Sequence, residues 1–449
     1  MASLPLEGIR VLDASNTYAG PTCGRVLADL GAEVIHVEAM QRWETVRLVV
    51  MPENSMPEDY WNGGAYFQKR NLGKQSVTLD LTRPAGVEAY KRIAGRCDVM
   101  LESFAPRVMR GFGLDYESIK AVRPDIIYCS LSGYGQSGPY RDWIAYGMGL
   151  EPASGISQLT GYADGGPKRS GISLTDPLSG LAATVAVLIA LYHRRHTGEG
   201  QYIDLSEQEA AIPLVARAIL DQQMNHRAPA RRGNRSWFAA PQGVYPCAGE
   251  DEWIAITCHN DAEWERLCTA ANHPEWQTDE RFADLLARHA NHDALDDAIS
   301  GWTRGRDKFA AMQELQRHGV RAGAVLHGKD LLLNDHLRAR RFFDLIDHPV
   351  AGRHPFPRQL PVRFSAFETA ARGPAPLLGQ HNDEVLAEVA GLSRDEIDRL
   401  RAEKIIGDAP DPPMPEEFVR ATTTWPMDVM IEIGAVKQVD EDHREQLGL

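Results

Sequence analysis

Read from the amino terminus, short apolar runs alternate with stretches of helical period. Gly8–Asp13 (GIRVLD) reads as a buried strand, Pro21–Leu30 as a helix opened by proline and stopped by Gly31, and Glu33–Glu38 (EVIHVE) as the next strand. Ser76–Leu81, Asp98–Leu101 and Ile126–Leu131 continue the series, with helical stretches such as Pro84–Ala94 between them. Strands separated by helices pair in parallel through crossovers. The pattern therefore predicts an α/β fold, with a parallel, doubly wound sheet whose ligands sit at the carboxyl ends of its strands.

The clearest helix is Pro177–Arg195, with Leu181, Val185, Leu188 and Tyr192 on one face and further apolar residues beside them. Apolar nearly all round, it is expected to be buried. His193, Arg194, Arg195 and His196 sit at its carboxyl end, where positive charge is favoured, and Gly198 supplies the stop. The arginine-rich stretch NHRAPARRGNRS (225–236) marks a boundary, after which strands at 243–246 and 253–257 and amphipathic helices predict a small α+β domain. The expected division is a large domain over 1–224, a small domain over 225–330, a return to the large domain over 331–406, and a carboxyl-terminal extension over 407–449. That extension opens with the linker GDAPDPPM, and the roughly 35 residues after it are expected to wrap a neighbouring subunit.

Composition narrows the class. With 43% hydrophobic and 24% charged residues the chain is ordinary globular protein. Cys23, Cys97, Cys129, Cys247, Cys258 and Cys268 form no CxxC pair and read as reduced, mostly buried thiols. The opening MASLPLEGIRVLD lacks the basic flank and apolar core of a signal peptide. The most apolar stretch, 181–191, is about half the length a bilayer crossing requires. A cytoplasmic protein with no membrane association is expected. The net charge of −14 opposes generic nucleic-acid binding, so a phosphate-bearing ligand would need a local basic patch.

Four stretches carry candidate chemistry. In Thr175-Asp176-Pro177, an aspartate followed by proline at the head of an apolar helix has two readings. It is a helix N-cap, or it is a carboxylate kept ionised at a positive helix end and able to attack a thioester carbonyl. The glycine-rich stretch 132–139 (SGYGQSGP) follows a strand and either brings backbone N–H groups to a ligand or is a plain turn. Asn16–Pro21 sits where doubly wound sheets bind ligands but is not GxGxxG, so with Glu38 ending the second strand it gives only a faint nicotinamide-cofactor signal. Lys69-Arg70-Asn71-Leu72-Gly73-Lys74, after the aromatic residues Tyr60, Trp61, Tyr66 and Phe67, is the candidate basic patch, to which Arg107 and Arg110 add; the alternative is a solvated loop. His289 and His292 lie a turn apart without a third ligand, read as surface residues, and leave no metal site expected.

Taken in order, LPLEGIRVLDASNTYAGPTCGRVLADLGAEVIHVE, KRNLGKQSVTLDL, DVMLESFAPRVMRGFGLDYESI, RPDIIYCSLSGYGQSGPY, SGISLTDPLSGLAATVAVLIALYHRRHTGEGQYIDLS, AAPQGVYPC, HGVRAGAV and LLGQHNDEVL resemble the class III coenzyme A transferases, a family that includes the α-methylacyl-CoA racemases. The resemblance implies a Rossmann-like large domain built from both chain ends and two chains threaded as interlocked rings. By motif position it makes Asp176 the catalytic carboxylate, acylated to a mixed anhydride and then converted to an aspartyl-CoA thioester. It implies CoA contacts at Tyr18, Ala19, Leu72, Lys74, Ser103, Phe104, Arg107 and Arg110, and a substrate pocket including Gly135, Gln136 and Tyr146. No permanently bound cofactor is implied, and the coenzyme A thioester is itself a substrate.

Where the racemases carry a His-Asp pair, this chain reads Ala145-Tyr146-Gly147, which looks like the transferases. Tyr18 and Gly147 replace a glutamine and a glutamate of some formate/oxalate-type transferases, implying a larger acyl group. The aromatic insert PEDYWNGGAYFQKRNLGK and the chain's length look like transferases for aryl-substituted succinates with succinyl-CoA as donor. A racemase and a non-catalytic subunit of a heteromeric transferase are the alternatives, and partners are acyl-CoA, a free carboxylic acid and a second copy or related subunit.

Overall fold

The structure, a computed structural model, describes residues 3–449. The chain separates into two compact units, one of Met1–Ile156, Arg169–Ile219 and Asp335–Leu449, the other of Ser157–Lys168 and Leu220–Asn334.

The larger unit begins β1 (Arg10–Asp13), α1 (Ala19–Asp29), β2 (Glu33–Glu38), α2 (Ala65–Asn71), β3 (Gln75–Thr78), α3 (Pro84–Ala94) and β4 (Val99–Glu102). It continues α4 (Pro106–Gly111), α5 (Tyr116–Lys120), β5 (Ile127–Ser132), α6 (Gly147–Ala153), α7 (Ile156–Leu159, of which only Ile156 belongs to this unit), α8 (Thr175–Thr197), β6 (Gln201–Ser206) and α9 (Glu207–Ala211). The six strands form one parallel sheet in the order β3-β2-β1-β4-β5-β6. The order reverses between β1 and β4, and the crevice at their carboxyl ends is the ligand site of such a sheet. Strands β1 to β5 fall within a few residues of their predicted places. Beyond them, Val11, Val99, Leu101 and Ile127 join α1 and α8 in one apolar layer, and Leu12, Ile35, Met100 and Tyr128 join α3 and the helix Asn382–Glu388 in the other.

Helix α8 departs from its expected environment. Ala183, Val187 and Ala190 are buried against α1 and the sheet, but Leu181, Val185, Ile189 and Tyr192 are exposed, the last three by 56–68%. The helix is apolar all round, yet only one face belongs to this chain's core. Among the described residues it is also the one helix long and apolar enough to cross a bilayer, and it packs on α1, β5 and β6.

The carboxyl-terminal extension does not leave the unit. Val419, in the helix Glu416–Thr423, is buried with Trp43, Leu48, Met51, Tyr60 and Leu378. Asn54 and Trp425 exchange hydrogen bonds of 2.8 and 3.1 Å. The tail thus wraps its own chain, and Tyr60 and Trp61 of the aromatic insert serve as its anchor: Met414 N–H donates to Tyr60 Oη and Trp61 Nε1 to the Asp408 carbonyl.

The smaller unit is built on the antiparallel sheet β7 (Gln242–Pro246), β8 (Trp253–Thr257) and β9 (Arg321–Ala324), with Ile254, Ile256, Trp264, Leu267 and Leu295 in its core. His292, expected at the surface, is buried with its ring 5.9 Å from that of partly buried His289, and burial lowers its pKa. Each of the six cysteines is free and buried.

Candidate active site

Two glycines set how closely the elements around the sheet's crevice approach. A Cβ at Gly180 would collide with the Ala19 carbonyl and the Thr22 side chain, so glycine there lets α8 lie directly on α1. A Cβ at Gly147 would collide with the carboxylate of Asp176, so the first residue of α6 presses bare backbone against that group. The Thr175 hydroxyl donates to the Gly147 carbonyl at 3.2 Å and ties the two helix starts together.

Asp176 is buried, at 8% exposure. It is not the cap of α8: the helix begins at Thr175, its flanking residue is Leu174, and Asp176 lies in the first turn. Nor does the helix end alone determine its charge state. Burial raises its pKa above the ordinary value, opposed by hydrogen bonds from Glu207 and Ser173 and by the charge of Arg70. Glu207, partly buried at the start of α9, is pushed up to about 8 by burial and by the neighbouring Asp176. Burial and the neighbouring Asp176 thus both favour the protonated form of Glu207.

Arg70 is the cation that faces this pair. Its guanidinium lies 3.5 Å from the ring centre of Tyr18 and 3.3 Å from that of Tyr66, and Nη1 donates to the Tyr66 carbonyl at 2.7 Å. Such double stacking fixes a planar cation without consuming its charge. Tyr18 stands at the amino end of α1 and Tyr66 in α2, so three crossovers converge on Asp176.

The remaining expected CoA contacts divide. Asn16 N–H donates to Ser103 Oγ at 3.0 Å, which draws the β1 and β4 loops together and places Tyr18, Ala19, Ser103 and Phe104 around the sheet's reversal point. Leu72 is fully buried. Lys74 is buried as well, its ammonium donating to Asp13 Oδ2 (2.7 Å), Asn71 Oδ1 (2.8 Å) and the Pro21 carbonyl (3.1 Å), so it neutralises an internal carboxylate instead of presenting charge to solvent. Arg107 and Arg110 are exposed. Arg110 and Gln136 line a cleft of about 350 Å³ with Glu102, Asp115, Tyr116, Tyr128, Tyr202 and Asp204. The glycine-rich turn does not offer the Gln136 N–H to a ligand, because that group donates to Asp204 Oδ1 at 2.8 Å. Tyr146 is 70% exposed.

Behind the site lies a second charged cluster. His36, Glu38 and Glu44 hold three potential ligand atoms within 4.8 Å of one another, the spacing of a metal site. Here, however, Arg47 Nη2 pairs with Glu38 at 2.6 Å and Lys74 with Asp13. His36 Nε2 lies 2.9 Å from Glu44 Oε1, off the line of an ideal hydrogen bond. Burial alone would lower the His36 pKa, but Asp13, Glu44 and Glu38 raise it to about 9, and a protonated imidazole is no metal ligand. Glu38 is thereby committed to Arg47 and His36, which removes it as a ribose ligand. Glu44 Oε2 also accepts the N–H of Thr17 (3.0 Å), whose φ of 69° puts the turn before Tyr18 in the left-handed region.

The sequence pointed to Asp176, Tyr18 and the basic stretch, but missed Glu207 and named Lys74, not Arg70, as the cation of that stretch. Glu207 carries one faint signal, a carboxylate at the carboxyl end of an edge strand, on the ligand side of the sheet.

A buried carboxylate pair under one stacked arginine, at the crevice of a doubly wound sheet, has the groups that acyl-transferring enzymes use. Comparison agrees with that class: the pattern of CoA-transferase family III matches residues 6–382, and the chain belongs to that family. It is 34% identical over 409 residues to succinyl-CoA–D-citramalate CoA-transferase of Chloroflexus aurantiacus, covering 90% of this chain and 98% of the relative. It is 31% identical to succinate–glutarate CoA-transferase of Agrobacterium fabrum, covering 87% and 97%. The crystal structure of a CAIB/BAIF family protein from Brucella suis matches 86% of this chain and 100% of its own, with a TM-score of 0.77 and 31% identity. The protein is a CoA-transferase.

Proposed function

We propose that this enzyme moves coenzyme A from succinyl-CoA to a dicarboxylic acid, a succinate bearing an alkyl or aryl substituent, with Asp176 as the covalent relay. An Asp176 oxygen attacks the thioester carbonyl, the C–S bond breaks, and the electron pair leaves on sulfur as CoA thiolate. The thiolate attacks Cγ of the acyl-aspartate and expels succinate, leaving an aspartyl-CoA thioester. The acceptor carboxylate then repeats the two exchanges in reverse. No net proton is consumed, and the thioester's energy is kept in an activated enzyme carboxylate instead of being lost to water.

The observation that carries this reading is the buried Asp176 carboxylate, held between the Gly147 backbone, Glu207 and the stacked Arg70. The succinyl donor is supported by the names of the two relatives above. A larger acceptor is supported by Tyr18 and Tyr66, the aromatic groups stacked on Arg70; Tyr60 and Trp61 are spent on the tail. Homodimerisation, or pairing with a related subunit, would cover Leu181, Val185, Ile189 and Tyr192 of α8. The six buried thiols suit a reducing compartment, and we place the activity in the cytoplasm.

The test is a panel of alkyl and aryl succinates with succinyl-CoA as donor, combined with hydroxylamine trapping of the acylated enzyme. Asp176→Ala should lose CoA exchange by about 10⁴-fold or more, and the hydroxamate should map to Asp176. The variant should keep its fold, since a first-turn carboxylate is worth about 1 kcal/mol or less. Normal turnover by Asp176→Ala would remove the mechanism.

A further inference from the structure

Glu207 touches Asp176 but has no part in the transfer chemistry just described. Its place is set by the fold. Strand β6 ends at Ser206, whose Oγ accepts the Glu209 N–H at 3.2 Å and starts α9, so Glu207 is pinned at the carboxyl end of the sheet's edge strand. Helix α9 packs on α8 and brings the Glu207 carboxyl into a hydrogen bond with that of Asp176.

Two carboxyl groups in hydrogen bond must share one proton, because two bare carboxylates at that distance repel. The other charges around α9 are otherwise engaged. From α6, Glu151 accepts the N–H and hydroxyl of Ser170 at 2.7 and 2.8 Å. From β6, Asp204 accepts the Gln136 N–H. The turn at 212–215 (IPLV) carries no charge. From α2, Arg70 lowers the pKa of Asp176, with no corresponding effect on Glu207. The proton therefore sits on Glu207, and Asp176 is the acceptor.

We propose that Glu207 is a positioning residue for the transfer: as a carboxylic acid it donates to Asp176 and, together with Ser173, holds the carboxylate in a single orientation for attack. The proposal rests on Asp176 being the nucleophile. While Asp176 is acylated, the same hydrogen bond lies on its carbonyl oxygen and draws electron density from Cγ, the atom the thiolate must attack. When that C–O bond breaks, the departing acid takes the electron pair. The proton stays on Glu207 throughout, so it orients and polarises without being consumed. Were Glu207 ionised, a second negative charge would face both the thiolate and the incoming carboxylate.

The experiment is kcat against pH from 6 to 10 for the full-length wild type, Glu207→Gln, Glu207→Ala and Asp176→Ala, with thermal melts to verify folding. Wild-type kcat should fall above pH about 8, by roughly one decade per pH unit. Glu207→Gln keeps a donor that cannot ionise, so its profile should be flat over that range. Glu207→Ala should lose roughly 10- to 100-fold in kcat at pH 7, with Glu207→Gln well above it. An alkaline limb retained in Glu207→Gln, or a Glu207→Ala enzyme as active as wild type, would overturn the proposal. If those results come with an inactive Asp176→Ala, only the role of Glu207 fails; an active Asp176→Ala would remove the covalent mechanism with it.

Discussion

The larger unit holds two clusters of buried ionisable groups, and they are built on opposite principles. In the one behind β1 and β2, the carboxylates of Asp13, Glu38 and Glu44 meet the cations Lys74, Arg47 and protonated His36, a balance of three against three. Burial favours neutral Asp13, but Lys74 and His36 outweigh it and hold its pKa well below the usual carboxylate range. In the other cluster Asp176 and Glu207 face each other with Arg70 as the cation, and both pKa values are driven upward. A compensated cluster fixes structure, whereas an uncompensated one stores reactivity that a substrate can use.

The sharpest way to break this contrast is to unbalance the compensated cluster. Lys74→Met leaves Asp13 charged in the core without its closest cation, with His36 alone opposite it, and should cost roughly 3 kcal/mol of stability by denaturant melts. Removing both charges in Asp13→Asn/Lys74→Met should recover most of the loss. If Lys74 were instead a ligand contact exposed to CoA, Lys74→Met would raise KM and leave the melt unchanged.

The next largest effect lies in the reactive cluster. Gly147→Ala puts a methyl group where the Asp176 carboxylate sits. A carboxylate can swing aside cheaply, so stability should change by about 1 kcal/mol or less while kcat falls roughly 10²-fold, because the nucleophile proposed above would no longer meet the thioester in line. An unaltered kcat would show that Gly147 does not fix Asp176.

These two clusters also mark where sequence reading succeeded and stopped. Strands β1 to β5 were legible because each is a short apolar run between helical stretches, as parallel strands buried on both faces must be. Strand β6 lies at the sheet's edge and is interrupted by polar residues, Gln201, Asp204 and Ser206, so it lacks that signature. For α8 the apolar pattern was right and the inference of full burial wrong: periodicity shows which residues avoid water, not whether this chain or another covers Leu181, Val185 and Ile189. Asp176 stood out in the sequence by its place at the head of α8. Glu207 was not, since its partner lies 31 positions away and only the sheet brings them together. Lys74 and Arg70 share one basic stretch. They part because Arg70 ends α2, four residues after Tyr66 and able to stack on it, whereas Lys74 opens toward Asp13.

The smallest effect sharpens the contrast through pH. Glu207 has a folded pKa of about 8 against an unfolded value near 4.5, so between those limits the folded state holds a proton that the unfolded state has released. Stability must therefore fall as pH rises from about 4.5 to 8. His36, raised from 6.5 to about 9, contributes stability that is complete below pH 6.5 and is lost as pH rises through 9. Both groups tilt the wild-type curve the same way, but over different windows. Glu207→Gln removes the first slope and relieves the crowding of two carboxyls, so its Tm at pH 8 should exceed wild type by a few degrees, roughly 1 kcal/mol. His36→Gln should remove the slope between pH 6.5 and 9 and melt below wild type at pH 6, because Glu44 and Asp13 lose their cation. Opposite signs at the two positions are what a reactive pair and a structural network require; a lower Tm in both would make Asp176 and Glu207 one more structural pair.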